Sequence, residues 1–289
     1  MPKFARLFPA MIGRVRFPAM MDILERLPPG SLVLDLGARA GSFSTSRTDL
    51  RVVRLDLEAP PAGASGAYVR ADAARLPFRA GCFDAIVANH SLEHFFDLEN
   101  SVREIGRVAK GASVVYLSVP DAGTLTDRVY RWLGRGGGHV NAFRRPADVI
   151  GPMEKWTQLP HRSTTLLFSS LAFLNAHNFT ARPPRKIALF AFGNERFLAW
   201  FAWALRVLDR ALGTRLSVYG WAFQFGGAAP EGVREAWINV CVRCGSGAPE
   251  AYLRHAGAVR RVLGGMESYT CPQCGCRNWL FRGGTLRDR

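Results

Sequence analysis

Two pairs of cysteines in the last fifth of the chain have the spacing of a metal site. Cys241 and Cys244 form one C-x-x-C-G turn, and Cys271 and Cys274 form a second. Four thiolates in this arrangement suit a tetrahedral zinc ion, and the glycine after each pair permits a tight turn whose N–H groups point at sulfur. We therefore expect one structural zinc ion. Redox or unliganded cysteines, and Cys276 as a substitute ligand, remain as alternatives.

A glycine-containing turn followed by spaced acids lies in the first third of the chain. The apolar run Leu32–Leu36 contains Asp35 and leads into G-A-R-A-G (37–41). Such a turn between a strand and a helix makes a nucleotide cradle, because glycine lets the backbone approach the ligand and the helix offers free N–H groups. Asp56 lies near the offset of ~20 residues at which an acid meets ribose hydroxyls, and Asp72 follows the next apolar run. On its own, the turn is equally typical of an ordinary strand-to-helix connection.

Alternating strand and helix patterns around these residues predict an α/β protein. Short β-rich runs separated by helical stretches over residues 31–120 indicate a mostly parallel sheet. The predicted strands are Leu32–Leu36, Val52–Leu57, Ala67–Arg70, Asp84–Ala88 and Val114–Val119. The sixth strand is either Arg185–Phe190 or Val218–Phe225, and Trp237–Val240 is expected to be the last strand of the sheet.

Three stretches of this region carry a family resemblance. They are V-L-D-L-G-A-R-A-G-S-F-S (33–44), A-D-A-A-R-L-P-F-R-A-G-C-F-D-A-I-V-A-N-H-S-L-E-H-F (71–95) and E-I-G-R-V-A-K-G-A-S-V-V-Y-L-S-V-P (104–120). Residues 30–120 resemble the class I S-adenosylmethionine-dependent methyltransferases of the type 11 subgroup. The resemblance implies a Rossmann-like, mostly parallel, seven-stranded sheet with helices on both faces.

The resemblance also implies a cofactor site at the carboxyl ends of four strands. Its residues would be Asp35, Gly37, Ala38, Arg39, Gly41, Asp56, Leu57, Asp72, Ala73, Asn89 and His90. The glycine turn would frame the methionine end of S-adenosylmethionine. Asp56 would accept from the ribose hydroxyls, and Asp72 with the backbone of Ala73 would bind the adenine amino group. Asn89 and His90 would line the site near the sulfonium.

Arg39 departs from the family, whose members usually have glycine at this position. If the position needs a positive φ, a residue other than glycine stores ~1–3 kcal/mol of strain. We expect Arg39 to compensate by contacting an anionic group, for example the carboxylate of the cofactor. The departure also keeps open a non-catalytic binding protein that retains the fold.

Two histidines are candidates for catalysis. Methyl transfer is an in-line attack on a methyl group activated by positive sulfur, so positioning dominates and a base is needed only if the nucleophile carries a proton. His94 follows His90 by four residues, and His139 lies in G-G-G-H-V-N-A-F (136–143). Alternatively, His94 makes structural hydrogen bonds at a helix start and His139 is a loop residue without chemistry.

The chain of 289 residues has a formal net charge of +15, which is typical of proteins that bind nucleic acid or an anionic membrane surface. Only four of its 38 basic residues are lysine, and such a skew is equally typical of a GC-rich genome. No run reaches ~18 uninterrupted apolar residues, so we expect no membrane-spanning helix. A cytoplasmic protein is expected, in which paired cysteines indicate metal before disulfide.

These patterns divide the chain into a helical lead-in (1–30), a methyltransferase domain (31–240) with an aromatic cap insertion (about 121–235), and a zinc ribbon (241–289). The insertion includes a predicted helix, Phe197–Leu212, that either lies in a membrane interface or over a lipid-like substrate, or packs on the sheet. Its expected apolar stripe is Phe197, Phe201, Ala204, Leu208 and Ala211, and a second stripe is Trp203, Arg206 and Arg210.

The favoured function is methylation of a small-molecule, lipid or glycan-type acceptor. The favoured partner is therefore a small or lipid-like molecule, with peripheral membrane contact through residues 197–212 as a further expectation. An RNA methyltransferase that uses the basic surface and the zinc ribbon is a less favoured alternative.

Overall fold

A computed structural model describes most of the chain. The described residues are 18–39, 41–43, 47–60, 62, 66–133, 138–178, 194–228 and 237–282. Most of the predicted lead-in, residues 1–17, lies outside them, as does the candidate strand Arg185–Phe190.

A seven-stranded sheet forms the centre of the described structure. Its strands are β1 (Leu32–Leu36), β2 (Arg51–Asp56), β3 (Ala67–Arg70), β4 (Phe83–Asn89), β5 (Ala109–Pro120), β6 (His161–Phe168) and β7 (Val218–Gly226). Their order is β3-β2-β1-β4-β5-β7-β6. The first five strands pair in parallel, whereas β7 is antiparallel to both β5 and β6. The predicted mostly parallel, seven-stranded sheet is thus confirmed.

Helices cover both faces of this sheet because neighbouring strand residues point to opposite sides. The helices are α1 (Pro18–Arg26), α2 (Leu98–Val108), α3 (Leu125–Leu133), α4 (Ala147–Thr157), α5 (Glu195–Leu212) and α6 (Glu250–His255). In β1, Leu34 shares a buried cluster with residues of α2 and α4, whereas Val33 shares another with residues of α1. Asp97 begins α2, since its carboxylate accepts from the N–H of Asn100 at 3.1 Å.

Two strand assignments differ from the sequence prediction. Residues 161–168, which lack a regular apolar pattern, form the edge strand β6, and β7 corresponds to the second of the two candidate sixth strands. The expectation that Trp237–Val240 ends the main sheet is wrong. The strand β8 (Ile238–Val240) pairs instead with β9 (Gly247–Pro249), because its own cysteine turn returns the chain beside it.

The C-terminal residues form a second small sheet with β10 (Val259–Arg261), β11 (Glu267–Thr270) and β12 (Arg277–Trp279). A buried cluster joins this part of the chain to α5: it includes Leu198, Ala202 and Leu205 of the helix together with Cys241, Cys271, Tyr269 and Leu280. The helix α5 therefore shares a hydrophobic core with the cysteine-bearing segment.

The apolar stripe predicted for α5 is not the face that is buried. Phe197, Phe201 and Leu208 of the expected apolar stripe are about two-fifths exposed (38%, 37% and 41%). Arg206, expected on a separate Trp-Arg stripe, is buried and donates to the carbonyl oxygens of Ala202 and Ser169 at 3.1 and 3.0 Å. Among the described helices, none combines the length and apolarity needed to cross a membrane.

The close approach of β7 to β5 generates a stability prediction. A Cβ at Gly220 would lie 2.1 Å from the carbonyl oxygen of Val119, so Gly220→Ala must move backbone and should lower the free energy of unfolding by about 1–3 kcal/mol. Gly111→Ala is the matched control in β5, where nothing lies within 4 Å, and should change it by less than about 0.5 kcal/mol. Urea denaturation measures both, and equal midpoints would contradict the packing of β7.

Candidate active site and metal centre

The turn after β1 is tied to the end of β2. The N–H of Gly37 donates to the carbonyl oxygen of Leu55 at 2.8 Å, and the N–H of Arg39 donates to Oδ2 of Asp56 at 2.9 Å. Because β1, β2 and β4 are parallel neighbours, their carboxyl ends lie at one edge of the sheet. The glycine turn and Asp56 therefore share one cleft.

Gly37 occupies a position that a larger residue would not fit. Its φ is +72°, and a Cβ built there would lie 2.7 Å from both Cβ and Oγ of Ser91. The Ser91 hydroxyl donates to the carbonyl oxygen of Leu36 at 2.9 Å, which holds the segment after β4 against the turn. Gly41 also has a positive φ, +109°, and Ala38 between them is fully buried. These contacts explain the residue types of the turn.

Arg39 adopts the left-handed conformation that its glycine-like position requires, with φ of +43°. Its guanidinium Nη2 lies 3.6 Å from Oε2 of Glu58. The expected contact with an anionic group is thus made within the protein, while the backbone N–H gains the Asp56 carboxylate. Strain at Arg39 is offset by these two interactions.

Asp35 lies beneath the turn and is fully buried. Its Oδ2 accepts from the N–H of Ser42 at 2.9 Å and lies 3.9 Å from Nε of Arg54. Burial raises the pKa of Asp35, and the Ser42 hydrogen bonds and the Arg54 charge partly oppose that rise. Among the described residues, Oδ1 has no hydrogen-bond partner. This buried acceptor fits the ammonium group at the methionine end of S-adenosylmethionine.

The acidic residues at the ends of β2 and β3 lie next to each other. The N–H of Ala71 donates to the carbonyl oxygen of Asp56 at 3.0 Å, which brings the segment containing Asp72 to the end of β2. Asp56 also accepts from the N–H of Glu58 at 3.0 Å, yet a carboxylate has about four acceptor sites and so retains capacity for ribose hydroxyls. Leu57 is 57% exposed and offers an apolar face for adenine.

Asp72 is exposed, and its Oδ1 accepts from the N–H of Ala74 at 2.9 Å. Ala73 is buried next to it. The remaining capacity of the Asp72 carboxylate and the neighbouring backbone fit the predicted adenine contact.

Asn89 and His90 end β4 on the far side of the cleft. Oδ1 of Asn89 accepts from the Ser118 hydroxyl at 2.6 Å, and the N–H of His90 donates to both oxygens of Ser118 at 3.0 Å. His90 has a φ of +51°, and its ring lies 5.0 Å from that of Tyr219. These bonds join the ends of β4 and β5 and turn the chain into the following segment.

The two candidate bases lie together. The rings of His94 and His139 are 4.9 Å apart, although 45 positions separate them in sequence. Nδ1 of His94 lies 3.0 Å from the carbonyl oxygen of Gly138. Burial holds the pKa of His94 below its usual value despite the opposing charge of Glu93, so a neutral imidazole is favoured at neutral pH.

Two carboxylates beside these histidines were missed from the sequence. Glu93 is 1% exposed, and Asp127 of α3 is fully buried with Oδ1 3.5 Å from Nδ1 of His139. The position of Glu93 between two histidines in H-S-L-E-H was an available signal, because a buried carboxylate needs cationic or polar partners. Nothing local in the sequence indicates that Asp127 meets His139.

The four predicted zinc ligands form one cluster. One atom from each of Cys241, Cys244, Cys271 and Cys274 lies within 4.8 Å of the others. The sulfur atoms of Cys241 and Cys274 are 3.6 Å apart, and those of Cys244 and Cys271 are 3.7 Å apart. A tetrahedral zinc ion with Zn–S bonds of about 2.3 Å requires sulfurs about 3.8 Å apart. The donor set and its spacing therefore fit zinc.

Both cysteine turns have the same hydrogen-bonding pattern. The fifth residue of each turn, Gly245 or Gly275, has a positive φ and donates to the carbonyl oxygen of the first cysteine at 2.9 Å. The N–H of Arg243 also lies 3.4 Å from the Cys241 sulfur, and neighbouring thiols lower the pKa of Cys241. Cys276 is not one of the four clustered cysteines, but its thiol contacts that of Cys241 and its sulfur lies 3.5 Å from Oε2 of Glu195.

The strand order, with its antiparallel β7, and the glycine turn beside Asp56 define the class of protein. The domain has the class I S-adenosylmethionine-dependent methyltransferase fold. A family model described as a methyltransferase domain matches residues 34–117. The matched residues therefore form a methyltransferase domain, and the type 11 resemblance of residues 30–120 is confirmed.

Relatives outside the family comparison agree with this class. The chain is 28% identical over 188 residues to an uncharacterized methyltransferase of Mycobacterium sp. (strain JLS), covering 61% of this chain and 71% of that protein. It is 31% identical over 111 residues to the Xenopus tropicalis tRNA (carboxymethyluridine(34)-5-O)-methyltransferase alkbh8, covering 35% and 18% of the two chains.

Solved structures show weaker likeness. The YcgJ protein of Bacillus subtilis has a TM-score of 0.46 and 19% identity, covering 74% of this chain and 98% of that one. A likeness of this size supports no functional inference.

The contacts of Asp56 generate a prediction for cofactor binding. The Asp56 carboxylate would accept hydrogen bonds from the ribose hydroxyls. Asp56→Asn removes its negative charge, so S-adenosylhomocysteine should bind about 10- to 100-fold more weakly. Asp49→Asn is the matched control, because Asp49 is an exposed acid paired with Arg47 at the opposite end of β2. Titration calorimetry measures both affinities. Equal affinity for the two variants would place the ribose elsewhere.

Proposed function

We propose that this methyltransferase acts on a small-molecule, lipid or glycan-type acceptor that enters beside His94 and His139. The proposal rests on the hydrogen bonds that hold residues 138–141 against the turn that follows β4. The N–H groups of Val140 and Asn141 donate to the carbonyl oxygen of Glu93 at 2.8 and 3.0 Å. The Asn141 amide donates to the carbonyl oxygens of Leu92 and Phe95 at 2.8 and 2.7 Å. Such a fixed cover favours a compact acceptor.

Aromatic side chains near the two histidines support an acceptor with an apolar part. The Tyr130 ring stacks on His139 with centroids 5.3 Å apart, and Tyr130 also contacts the Phe173 ring at 5.7 Å. S-adenosylmethionine supplies a methyl group activated by positive sulfur. The chain's own part is to hold the cofactor through Asp56 and the glycine turn, and to orient the acceptor next to His94 and His139.

Methyl labelling tests the acceptor class. The purified protein is incubated with methyl-labelled S-adenosylmethionine and a lysate of a methyltransferase-poor host, and label is measured in organic-extractable, glycan, protein and RNA fractions. We expect label in the organic or glycan fraction with the wild type and much less label, at a cofactor concentration that just saturates the wild type, with Asp56→Asn. Label confined to RNA would overturn the proposal and establish the second candidate.

RNA is the second candidate acceptor because two observations favour it. The chain carries a net charge of +15, and one relative is named as a tRNA methyltransferase. RNA held through phosphate contacts would dissociate steeply as salt rises, since each contact releases counterions. The basic residues are spread along the chain, and the relative is matched over only 18% of its length, so we favour the smaller acceptor.

The exposed apolar side chains of α5 support peripheral membrane contact as a further part of the proposal. Trp200 and Leu212 are 41% and 68% exposed, beside the half-exposed Phe197, Phe201 and Leu208. Indole rings together with aliphatic side chains on one helix are typical of a lipid interface. This contact would bring a lipid-like acceptor close to the protein.

The cysteine cluster is proposed to hold one structural zinc ion. Four thiolates close the coordination sphere, so the ion would stabilise folding and take no part in methyl transfer. The ribbon is attached to the rest of the chain by polar contacts, including Arg243 to Glu195 at 2.6 Å and the Asn175 amide to the carbonyl oxygen of Val242 at 3.1 Å. Loss of zinc should therefore affect α5 as well.

Zinc removal gives a prediction with a defined pattern. Freshly purified protein should contain about one zinc per chain, and a chelator should remove hydrogen-exchange protection from residues 194–212 and 237–282 before β1–β5. Trp200 and Trp279, whose rings are 4.4 Å apart, should report the same step by fluorescence.

Cysteine variants provide the control for the zinc prediction. Cys244→Ser should lose zinc, whereas Cys276→Ser should retain it because Cys276 is not one of the four clustered cysteines and contacts only Cys241 among them. Zinc-free protein with full protection of residues 237–282 would refute the proposal.

A further inference from the structure

Three side chains with metal-binding atoms meet where the 3₁₀ turn Leu92–His94 contacts residues 138–141. One such atom from each of Glu93, His94 and His139 lies within 4.8 Å of the other two. We propose that this triad binds a first-row divalent cation, at a site separate from the cysteine cluster. Two imidazoles and one carboxylate are a donor set that holds such cations while leaving coordination positions open.

Each of the two histidines has a ring nitrogen near a protein oxygen, as metal-binding histidines do. Metal-binding histidines usually direct their other ring nitrogen to a carbonyl or carboxylate oxygen. Nδ1 of His94 lies 3.0 Å from the carbonyl oxygen of Gly138, and Nδ1 of His139 lies 3.5 Å from Oδ1 of Asp127. In His94, Nε2 is then left with the lone pair that a cation needs, whereas Nδ1 of His139 makes no hydrogen bond among the described residues and either of its ring nitrogens is available. The Tyr130 ring, stacked on His139, further limits its rotation.

Glu93 supplies the negative charge of the triad. Its side chain is 1% exposed, and Oε2 has no hydrogen-bond partner among the described residues. Burying a carboxylate oxygen without a hydrogen-bond partner costs free energy of folding unless a cation or a hydrogen-bond donor lies beside it. The neighbouring Oε1 lies 3.7 Å from Nδ1 of His90. A cation between Glu93 and the two imidazoles would compensate this charge.

The site can be reached from solvent. His94 belongs to the exposed residues, whereas Glu93 is buried and His139 is intermediate. Adjacent ligand atoms of a cation with bonds of about 2.1 Å lie about 3.0–3.4 Å apart. The triad, spread over at most 4.8 Å, would close on the ion by movement of the accessible His94 ring.

The role of the cation rests on the proposed function and deepens it. The turn that carries Glu93 and His94 begins beside Ser91, which contacts Gly37 of the cofactor turn. An acceptor hydroxyl bound to the cation would have a lowered pKa and lose its proton to solvent. A C–O bond would then form as the C–S bond breaks, with its electron pair staying on sulfur. The acceptor class this favours is a hydroxyl compound.

Mn²⁺ is the appropriate probe because it prefers carboxylate and imidazole to the thiolates of the cysteine cluster. The full chain, with its zinc retained, is titrated with Mn²⁺, and the six-line electron paramagnetic resonance signal of free Mn²⁺ is measured. We expect one ion to bind per chain. Glu93→Gln and His94→Gln should each weaken Mn²⁺ binding by about 100-fold. Mutating a residue that only hydrogen-bonds to a metal ligand costs about 10- to 100-fold in metal affinity, so loss of a ligand itself should cost at least as much.

His255→Gln is the matched control, since His255 is an exposed histidine on α6, and it should bind Mn²⁺ like the wild type. His94→Gln changes an exposed side chain and should fold normally. It therefore tests the metal site even if Glu93→Gln does not fold. No binding at millimolar Mn²⁺, or equal binding by wild type and His94→Gln, would overturn the metal site. Calorimetry with S-adenosylhomocysteine on the same samples tests the proposed function separately.

Discussion

The hydrogen bond from the Arg39 N–H to the Asp56 carboxylate is the contact on which the functional site depends. It ties the turn after β1 to the end of β2 at 2.9 Å, and so places a glycine cradle and a ribose-type acid in one cleft. The bond requires the left-handed φ of +43° at Arg39, which a non-glycine residue adopts only with strain. The surrounding structure supplies the compensation, through the Glu58 carboxylate near the guanidinium and the Asp56 carboxylate at the backbone N–H.

Two further parts of the molecule are arranged around this edge. The segment after β4 packs against Gly37 through Ser91 and then presents Glu93 and His94. Residues 138–141 fold over that segment and add His139, so the acceptor side is built from two distant pieces of chain. The C-terminal ribbon shares a hydrophobic core with α5 through Leu198, Ala202 and Leu205, and Tyr130, which stacks on His139, packs against the same core.

Local patterns were sufficient for the strands that build the cofactor edge. Runs of alternating or continuous apolar residues placed β1 and β3 at their observed bounds and β2 and β4 within a residue at each end. The edge strand β6 was missed because its first half carries the polar run Arg162, Ser163, Thr164 and Thr165 in place of an apolar repeat. The assignment of Trp237–Val240 failed for a different reason: a strand's pairing partner is a non-local property, and its own cysteine turn provides the nearest one.

The same distinction applies to the site. Spacing alone indicated the glycine turn, the acids and the four cysteines, since each is defined within a few residues of chain. The partners Glu93 and Asp127 depend on how residues 138–141 lie over the β4 end, which no local pattern encodes. On α5, helical periodicity predicted one apolar stripe and one Trp-Arg stripe, but the face that is buried is the one that packs against the ribbon.

A crystal structure of the full chain with S-adenosylhomocysteine tests the central claim most directly. The account predicts ribose hydroxyls within hydrogen-bond distance of Asp56, adenine between Leu57 and Asp72, and the sulfur facing Asn89 and His90. Density for the ligand at any other edge of the sheet, with Asp56 still bonded only to the Arg39 and Glu58 N–H groups, would contradict it.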